Sequence, residues 1–182
     1  MKKKFLNSLP SDWVKYLIVV LISVVLWMWA FGAYHAPKKT EKLEIFFAGS
    51  MKNYAVESLA AEALEGVKKV SVSSENPRTG VTFEQKYTYV AATTSDVVIV
   101  PKEVATETDC EHSFEILTGT FDNPYEVGGV QYGVYLSEER KAALSEYFDF
   151  EYDEYVVFAV ASSVNSGQLT NHSFELIEWL VG

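Results

Sequence analysis

The most prominent pattern in the chain is a continuous apolar run near its start. From Tyr16 to Tyr34 the sequence reads YLIVVLISVVLWMWAFGAY, which is 19 residues without a charged side chain. A helix of that length rises about 28 Å, close to the ~30 Å hydrocarbon thickness of a bilayer. Aromatic residues stand near both ends of the run, as in the interfacial belts of membrane-spanning helices. The pattern predicts a cytoplasmic N-terminus at 1–15 and a transmembrane anchor at 16–34.

A cleaved signal peptide is the alternative interpretation of this run. Lys2–Lys4 resemble the basic start of a signal peptide, and 30–32 (AFG) resembles a cleavage site. However, the run exceeds the ~7–15 apolar residues of an ordinary signal peptide, and Trp27 and Trp29 lie near the supposed cut. We therefore favour a retained anchor with its N-terminus inside the cell. Both interpretations place the rest of the chain outside the cytoplasm, at the cell membrane.

After a spacer at 35–42, strand and helix patterns alternate. Short apolar or alternating runs predict strands at 43–47, 69–74 and 97–100. Amphipathic spacing predicts a helix over 51–65 with Ser50 as its N-cap, and a short helix over 102–108. Residues 83–94 favour a helix over 84–92, with a strand at 81–89 as the alternative. Strands that alternate with helices in this way predict a mainly parallel sheet covered by helices.

The second half continues the alternation. Two short strands are predicted within 124–136, on either side of Gly128-Gly129. Ser137 opens a helix, 155–161 is a buried strand, and Thr170 or Asn171 caps a final helix. The predicted fold class is α/β, with a mixed, mainly parallel sheet flanked by helices in one domain at 43–182.

Composition and charge exclude several classes of protein. The 182 residues are 48% apolar and 14% aromatic, which excludes intrinsic disorder. The net charge is −10, and because residues 1–36 hold four lysines and one aspartate, the remainder carries −13. An acidic domain of this kind argues against nucleic acid as a partner. It slightly favours a cationic ligand or a basic protein surface over an anion.

Few residues in the chain are suited to metal binding or catalysis. The single cysteine, Cys110, excludes a disulfide framework and a multi-thiolate zinc site, and the three histidines show no paired spacing. The acidic run 149–154 lacks the spacing and the glycine of a calcium loop, which favours a solvated segment. No nucleophile, base and orienting group can be named together. We therefore expect no metal, no cofactor, no catalytic residues and no enzymatic activity.

The order of segments resembles a known family. LEIFFAGSMKNYAVESLAAEAL, SDVVIVPKEVA, GGVQYGVYLS and YVVFAVASSVNSGQLTNHSFELIEWL together resemble type 2 periplasmic solute-binding proteins. More narrowly, they resemble the small, membrane-anchored relatives found in Gram-positive bacteria. The resemblance covers 43–182 and implies a periplasmic-binding-protein-like fold and a role beside ABC transporters. Members of the family generally have two larger lobes around a ligand cleft, and 140 residues is short for two lobes.

Polar loops at the predicted strand ends supply the candidate site. Strands 43–47 and 155–161 are the most apolar, so both are expected near the sheet centre with their following loops on one side. Helix caps and ordinary loops use the same residue types, so a purely structural role is the alternative for each position. The candidate ligand-binding residues are Gly49, Ser50, Met51, Ser95, Tyr132, Ser163 and Asn165.

Two functions follow from these observations. The first is a membrane-anchored extracytoplasmic binding domain for a small polar solute, similar to the solute-binding proteins of ABC transporters. The alternative is a non-catalytic interaction domain that has lost the ligand cleft and binds subunits of a membrane transporter. In both cases the lipid bilayer is a partner through 16–34.

Overall fold

The structure is a computed structural model that describes residues 2–118 and 121–182, with the backbone alone described at 2–12 and 108. The chain divides into two compact units, Met1–Ala36 and Pro37–Gly182.

The first unit is one long helix, α1 (Lys2–His35). Its segment Trp13–His35 has a mean hydropathy of 2.3 and is long and apolar enough to cross a membrane. The Ser23 hydroxyl donates to the carbonyl of Val19 at 2.8 Å, so this polar group is satisfied within the helix. The chain therefore carries one N-terminal helix that is suited to span a bilayer, and it includes the predicted anchor at 16–34.

The second unit is built on a mixed sheet of six strands. The strands of the unit, including two outside that sheet, are β1 (Lys42–Phe47), β2 (Ser50–Met51), β3 (Lys69–Ser74), β4 (Val97–Pro101), β5 (Pro124–Val127), β6 (Val130–Tyr135), β7 (Phe148–Asp149) and β8 (Tyr155–Ala159). The main sheet has the order β3-β1-β4-β8-β6-β5, and β2 and β7 form a separate short ribbon. The α/β class and the mixed sheet are as predicted.

Strand direction changes across the sheet. The pairs β1–β3 and β1–β4 are parallel. The pairs β4–β8, β6–β8 and β5–β6 are antiparallel. A mainly parallel sheet is therefore found only in the first half. One physical reason is the turn at Gly128-Gly129, where positive φ values of 61° and 81° allow the tight reversal that makes β5 and β6 a hairpin.

Helices cover both faces of the sheet. They are α2 (Ala55–Ala63), α3 (Val81–Lys86) with a π-helical continuation over Tyr87–Ala91, α4 (Glu107–Ser113), α5 (Glu138–Leu144) and α6 (His172–Val181). Buried side chains of α2, α5 and α6 share one apolar cluster with the sheet, among them Val56, Leu144 and Ile177. Phe83 of α3 and Cys110 of α4 belong to a second cluster. The sheet therefore separates two apolar layers.

Two predicted helices are shifted, and both shifts have a local cause. The helix predicted over 51–65 begins only at Ala55, because Ser50 and Met51 pair with Asp149 and Phe148 instead. The helix predicted over 102–108 lies at Glu107–Ser113, because Thr106 and Asp109 form a capping box that sets its start. The helix predicted over 84–92 is confirmed by α3 and its π-helical continuation.

Residues 37–182 produced without α1 are expected to be soluble, monomeric and cooperatively folded. The reason is that both apolar clusters lie within this unit, whereas exposed apolar side chains are concentrated in α1. Fluorescence of Trp179, the single tryptophan of the segment, should give one sigmoidal transition in urea. A requirement for detergent, or loss of structure over a broad range of urea, would contradict the boundary at Pro37.

Candidate functional site

The predicted site residues lie at opposite ends of the strands. Because β8 runs antiparallel to β4, the loop after β8 lies where β1 and β4 begin, which we call the amino-terminal side of the sheet. The loop after β1 lies at the carboxyl-terminal side, a strand length of about 17 Å away. Ser163 and Asn165 are therefore separated from Ser50 and Met51. The prediction that these loops converge is wrong, and the antiparallel direction of β8 is the physical reason.

A pocket of about 350 Å³ opens at the amino-terminal side of the sheet. Three predicted residues, Ser95, Ser163 and Asn165, line it, and all three are buried. The other lining residues are Lys39, Lys42, Glu44, Thr93, Thr94, Asp96, Ser162 and Val164. We call this cavity the Asp96 pocket.

Asp96 organises the floor of this pocket. Its Oδ1 accepts hydrogen bonds from the Ser163 hydroxyl and from the Asn165 side-chain amide, the latter at 2.9 Å. Its Oδ2 accepts from the backbone N–H of Glu44 at 2.6 Å. A carboxylate that is only 7% exposed is thus held by three donors, as burial of a charge requires.

Asn165 extends this network to the chain segment that enters the domain. Its amide also donates to the carbonyl of Lys42 at 3.1 Å, and its Oδ1 accepts from the Thr170 hydroxyl at 2.8 Å. Its backbone N–H donates to Ser163 Oγ at 3.0 Å. The polar atoms of Ser163 and Asn165 are therefore used within the protein, and their first role is to join the ends of three strands.

Other polar groups of the Asp96 pocket remain accessible. Lys39 and Ser162 are exposed, and neither side chain has a hydrogen bond or ion pair within the described part of the chain. Lys42 and Glu44 form an ion pair. Thr94 donates its hydroxyl proton to the carbonyl of Val90 and keeps its acceptor lone pairs. The charged side chains that line the pocket are thus two lysines and two carboxylates.

The predicted residues at the carboxyl-terminal side are fixed by packing and strand pairing. A Cβ on Gly49 would lie 2.5 Å from Cε1 of Phe47. A larger residue therefore fits at this position only if the Phe47 ring or the backbone moves. Ser50 and Met51 are ladder positions opposite Asp149 and Phe148. Ser50 is therefore a strand residue rather than the helix N-cap that the sequence predicted.

Tyr132, the remaining predicted residue, lies on β6 and is half-buried. Its side chain packs against the apolar cluster that contains Phe46 and Phe158. It is not among the residues that line the Asp96 pocket. The structure therefore does not bring Tyr132 together with the other candidates.

The acidic run 149–154 is tied to the carboxyl-terminal side by ion pairs. Lys52 lies 3.4 Å from Asp149, Arg78 lies 2.8 Å from Glu151, and Lys102 lies 2.8 Å from Glu154. The Glu151 side chain is only 19% exposed, so this carboxylate is not the fully solvated group that the sequence suggested. No group of three metal-ligating side chains is found in the part of the chain that the structure describes.

Cys110 is a buried thiol of the second apolar cluster. It is 0% exposed, and burial together with the neighbouring Asp109 raises the pKa of its thiol to about 11. The thiol is therefore protonated at neutral pH, whereas a nucleophilic cysteine needs an accessible thiolate.

A second cavity was not predicted from the sequence. It has a volume of about 430 Å³ and lies between α3 and the start of α4, beside the turns that follow β3 and β4. Phe83, Tyr87 and Val104 provide apolar walls, and Glu84 and Asp109 provide carboxylates. The capping motif Thr106-x-x-Asp109 was the sequence signal that could have located α4 and hence this cavity. We call it the Tyr87 pocket.

Tyr87 is held tightly in this second cavity. Its ring stacks on that of Phe83 with a centroid distance of 5.6 Å and an interplanar angle of 13°. Its hydroxyl is buried without a hydrogen-bond partner in the described residues. Burial, followed by the negative charge of Asp109, raises the pKa of Tyr87 well above its usual value. A perturbed group in a mostly apolar cavity is a common property of ligand sites.

Comparisons with protein-family models, with curated proteins and with solved structures find no match for this chain.

Proposed function

We propose that the chain is a single-pass membrane protein whose extracytoplasmic domain binds a small polar solute in the Asp96 pocket. The observation that supports this proposal is the pocket itself. Its volume of about 350 Å³ lies in the range of small-molecule sites, and three of the predicted ligand-binding residues line it. The apolar helix supports attachment to the cell membrane. The lysines before Tyr16 support an N-terminus inside the cell.

The network around Asp96 would serve as a rigid scaffold for the site. Because internal hydrogen bonds fix Ser163 and Asn165, these side chains are already ordered before a solute binds. Binding therefore loses little side-chain conformational entropy at these two positions. The groups that would contact the solute are the Lys39 ammonium and the Ser162 hydroxyl at the pocket mouth. The hydroxyl oxygens of Thr93 and Thr94 would accept further hydrogen bonds.

The local charges indicate which kind of polar solute the pocket suits. Lys39 and Lys42 are balanced by Glu44 and Asp96, so the lining has no net charge although the domain carries −13. A solute with both an anionic and a cationic group fits such a lining better than a simple cation does. Free amino acids are the simplest solutes of this kind.

The resemblance to solute-binding proteins is consistent with this proposal. Capture would differ from that of the larger members, because the described part of 37–182 contains one main sheet and one short ribbon rather than two lobes. The solute would therefore be held in an open pocket without domain closure. Delivery to a membrane transporter is the role that the resemblance implies.

Thermal unfolding of the full chain in maltoside micelles tests the proposal. A panel of zwitterionic amino acids should include one that raises Tm by about 5 °C or more at a hundredfold excess over its Kd. The double variant Lys39→Ala with Ser162→Val should lose this stabilisation, because both changes remove exposed polar groups from the pocket mouth. The variant Lys52→Ala, at the opposite end of the strands, is the matched control and should respond like wild type.

Two results would overturn the proposed site. One is unchanged stabilisation in the double variant, and the other is failure of every amino acid in the panel to stabilise wild type. The second result would favour the alternative, a non-catalytic interaction domain of a membrane transporter complex. The extensive internal hydrogen bonding of Ser163 and Asn165 is the observation that favours this alternative, because it describes a structural rather than a ligand-binding role.

A further inference from the structure

The Tyr87 pocket differs from the Asp96 pocket in its chemistry. Its walls include Phe83, which is 6% exposed, the half-buried ring of Tyr87, and Val104. The charged side chains that line it are Glu84 and Asp109, and no lysine or arginine is among its lining residues in the described part of the chain. The cavity therefore combines an apolar surface with two negative charges.

The cations nearest in sequence are already paired elsewhere. Lys86 lies 2.7 Å from Glu75, and Arg78 lies 2.8 Å from Glu151. Glu84 is exposed and makes no ion pair or side-chain hydrogen bond with another described residue. Asp109 accepts hydrogen bonds from the backbone and hydroxyl of Thr106 through one oxygen, Oδ2. Among the described residues, no lysine or arginine forms an ion pair with either carboxylate.

The position of the cavity also favours a ligand. Pro77 and Gly80 follow β3, and Val104 follows β4, so the cavity lies at the carboxyl-terminal side of the parallel strands. In open α/β sheets, ligands bind outside the carboxyl ends of the parallel strands. A volume of about 430 Å³ is sufficient for a molecule of several non-hydrogen atoms.

We propose that the Tyr87 pocket is a second binding site, and that its ligand is a small organic ammonium ion. Aromatic rings and carboxylates are the groups that proteins use to bind alkylated ammonium ions, because ring faces attract the cation while accommodating its apolar substituents. Glu84 and Asp109 supply the opposite charge, and Phe83, Tyr87 and Val104 contact the substituents. This site is separate from the Asp96 pocket and does not depend on the solute proposed for it.

Choline and its neutral isostere 3,3-dimethyl-1-butanol provide the test, because the two differ in charge and hardly in shape. Each is titrated at constant ionic strength into the full chain in maltoside micelles, and binding is followed by ligand-observed saturation-transfer NMR. We expect choline to bind with a Kd about tenfold lower than that of the isostere. Equal dissociation constants, or no binding of choline, would overturn the proposal.

Variants separate the contributions of charge and ring. Glu84→Gln with Asp109→Asn should abolish the preference for choline, and the asparagine oxygen can still accept the hydrogen bonds of Thr106. Tyr87→Leu should weaken choline binding severalfold, whereas Tyr87→Phe, which keeps the ring, should not. Glu139→Gln, which removes one exposed carboxylate of α5, is the control for loss of a negative charge outside the pocket and should leave binding unchanged. Choline binding that is unaffected in the Glu84 and Asp109 double variant would refute the site.

One further variant separates this site from the proposed function. Lys39→Ala changes the Asp96 pocket alone, so it should leave choline binding intact. Loss of choline binding in Lys39→Ala would contradict two independent sites. Failure of the amino-acid panel with retained choline binding would refute the proposed function and support the second site.

Discussion

Replacing Asp96 by alanine should destabilise residues 37–182 by about 3–5 kcal/mol. The Ser163 hydroxyl, the Asn165 amide and the Glu44 N–H all donate to this carboxylate, and each donor is left without its acceptor when the carboxylate is removed. A buried donor without a partner costs about 1–3 kcal/mol. Because a domain of this size is stable by about 5–15 kcal/mol, the variant should lose roughly a fifth or more of its stability. Urea unfolding followed by Trp179 fluorescence measures the loss.

Two matched variants identify the cause of that loss. Asp96→Asn keeps one acceptor oxygen and should lose less stability than Asp96→Ala. Ser162→Ala changes an exposed hydroxyl in the same pocket and should stay within about 0.5 kcal/mol of wild type. If Asp96→Ala proved as stable as Ser162→Ala, the network would not join the ends of β1, β4 and β8 as described.

Local patterns predicted most of the strands well. Lys69–Ser74 and the two strands around Gly128-Gly129 lie where the alternation and the turn residues indicated. The helix opened by Ser137 is also confirmed, since the serine hydroxyl accepts from the backbone N–H of Arg140 at 3.2 Å. These features depend on the residues within a few positions of each other, which is information that a sequence carries directly.

Features that depend on distant partners were not predictable in the same way. The direction of β8 relative to β4 cannot be predicted from the run YVVFAVA. A strand that is buried on both faces is apolar throughout, whether it is parallel or antiparallel to its neighbour. Ser50 and Met51 pair with residues almost a hundred positions later in the chain, so the apolar spacing after Ser50 predicted a helix that begins too early. The prediction that the loops after β1 and β8 converge was wrong because it depended on the direction of β8.

Three of the candidate residues lie together in the structure, and all three are close to one end of the strands. Ser95 precedes β4, and Ser163 and Asn165 follow β8, its antiparallel neighbour, so these residues lie together at the amino-terminal side. The sequence indicated their polarity correctly, but Asp96, which lies directly before the strand predicted at 97–100, was not among the candidate residues. An aspartate directly before an apolar run is the sequence feature that could have indicated this network, because a charged group at the edge of the core needs hydrogen-bond partners.

Replacing Gly133 by alanine should destabilise residues 37–182 by about 1–3 kcal/mol, although it adds a single methyl group. A Cβ at Gly133 would lie 2.7 Å from Cγ1 of Val156 and 2.8 Å from Cδ1 of Phe158, both on β8. The Phe158 ring has little room to move, because it stacks on Phe114 with a centroid distance of 4.3 Å and forms a T-shaped pair with Tyr125 at a centroid distance of 5.4 Å. The added methyl group must therefore displace a packed ring or the strand itself.

The expected loss at Gly133 is steric, and a double-mutant cycle can show it. The backbone at Gly133 is not among the positive-φ glycines, so alanine brings no strain of that kind. In a Phe158→Leu background, which replaces the crowded ring with a more adaptable side chain, the Gly133→Ala change should cost clearly less than it does in wild type. Urea unfolding of the four proteins gives the coupling. A cost that is the same in both backgrounds would show that the Phe158 ring is not what excludes a side chain at this position.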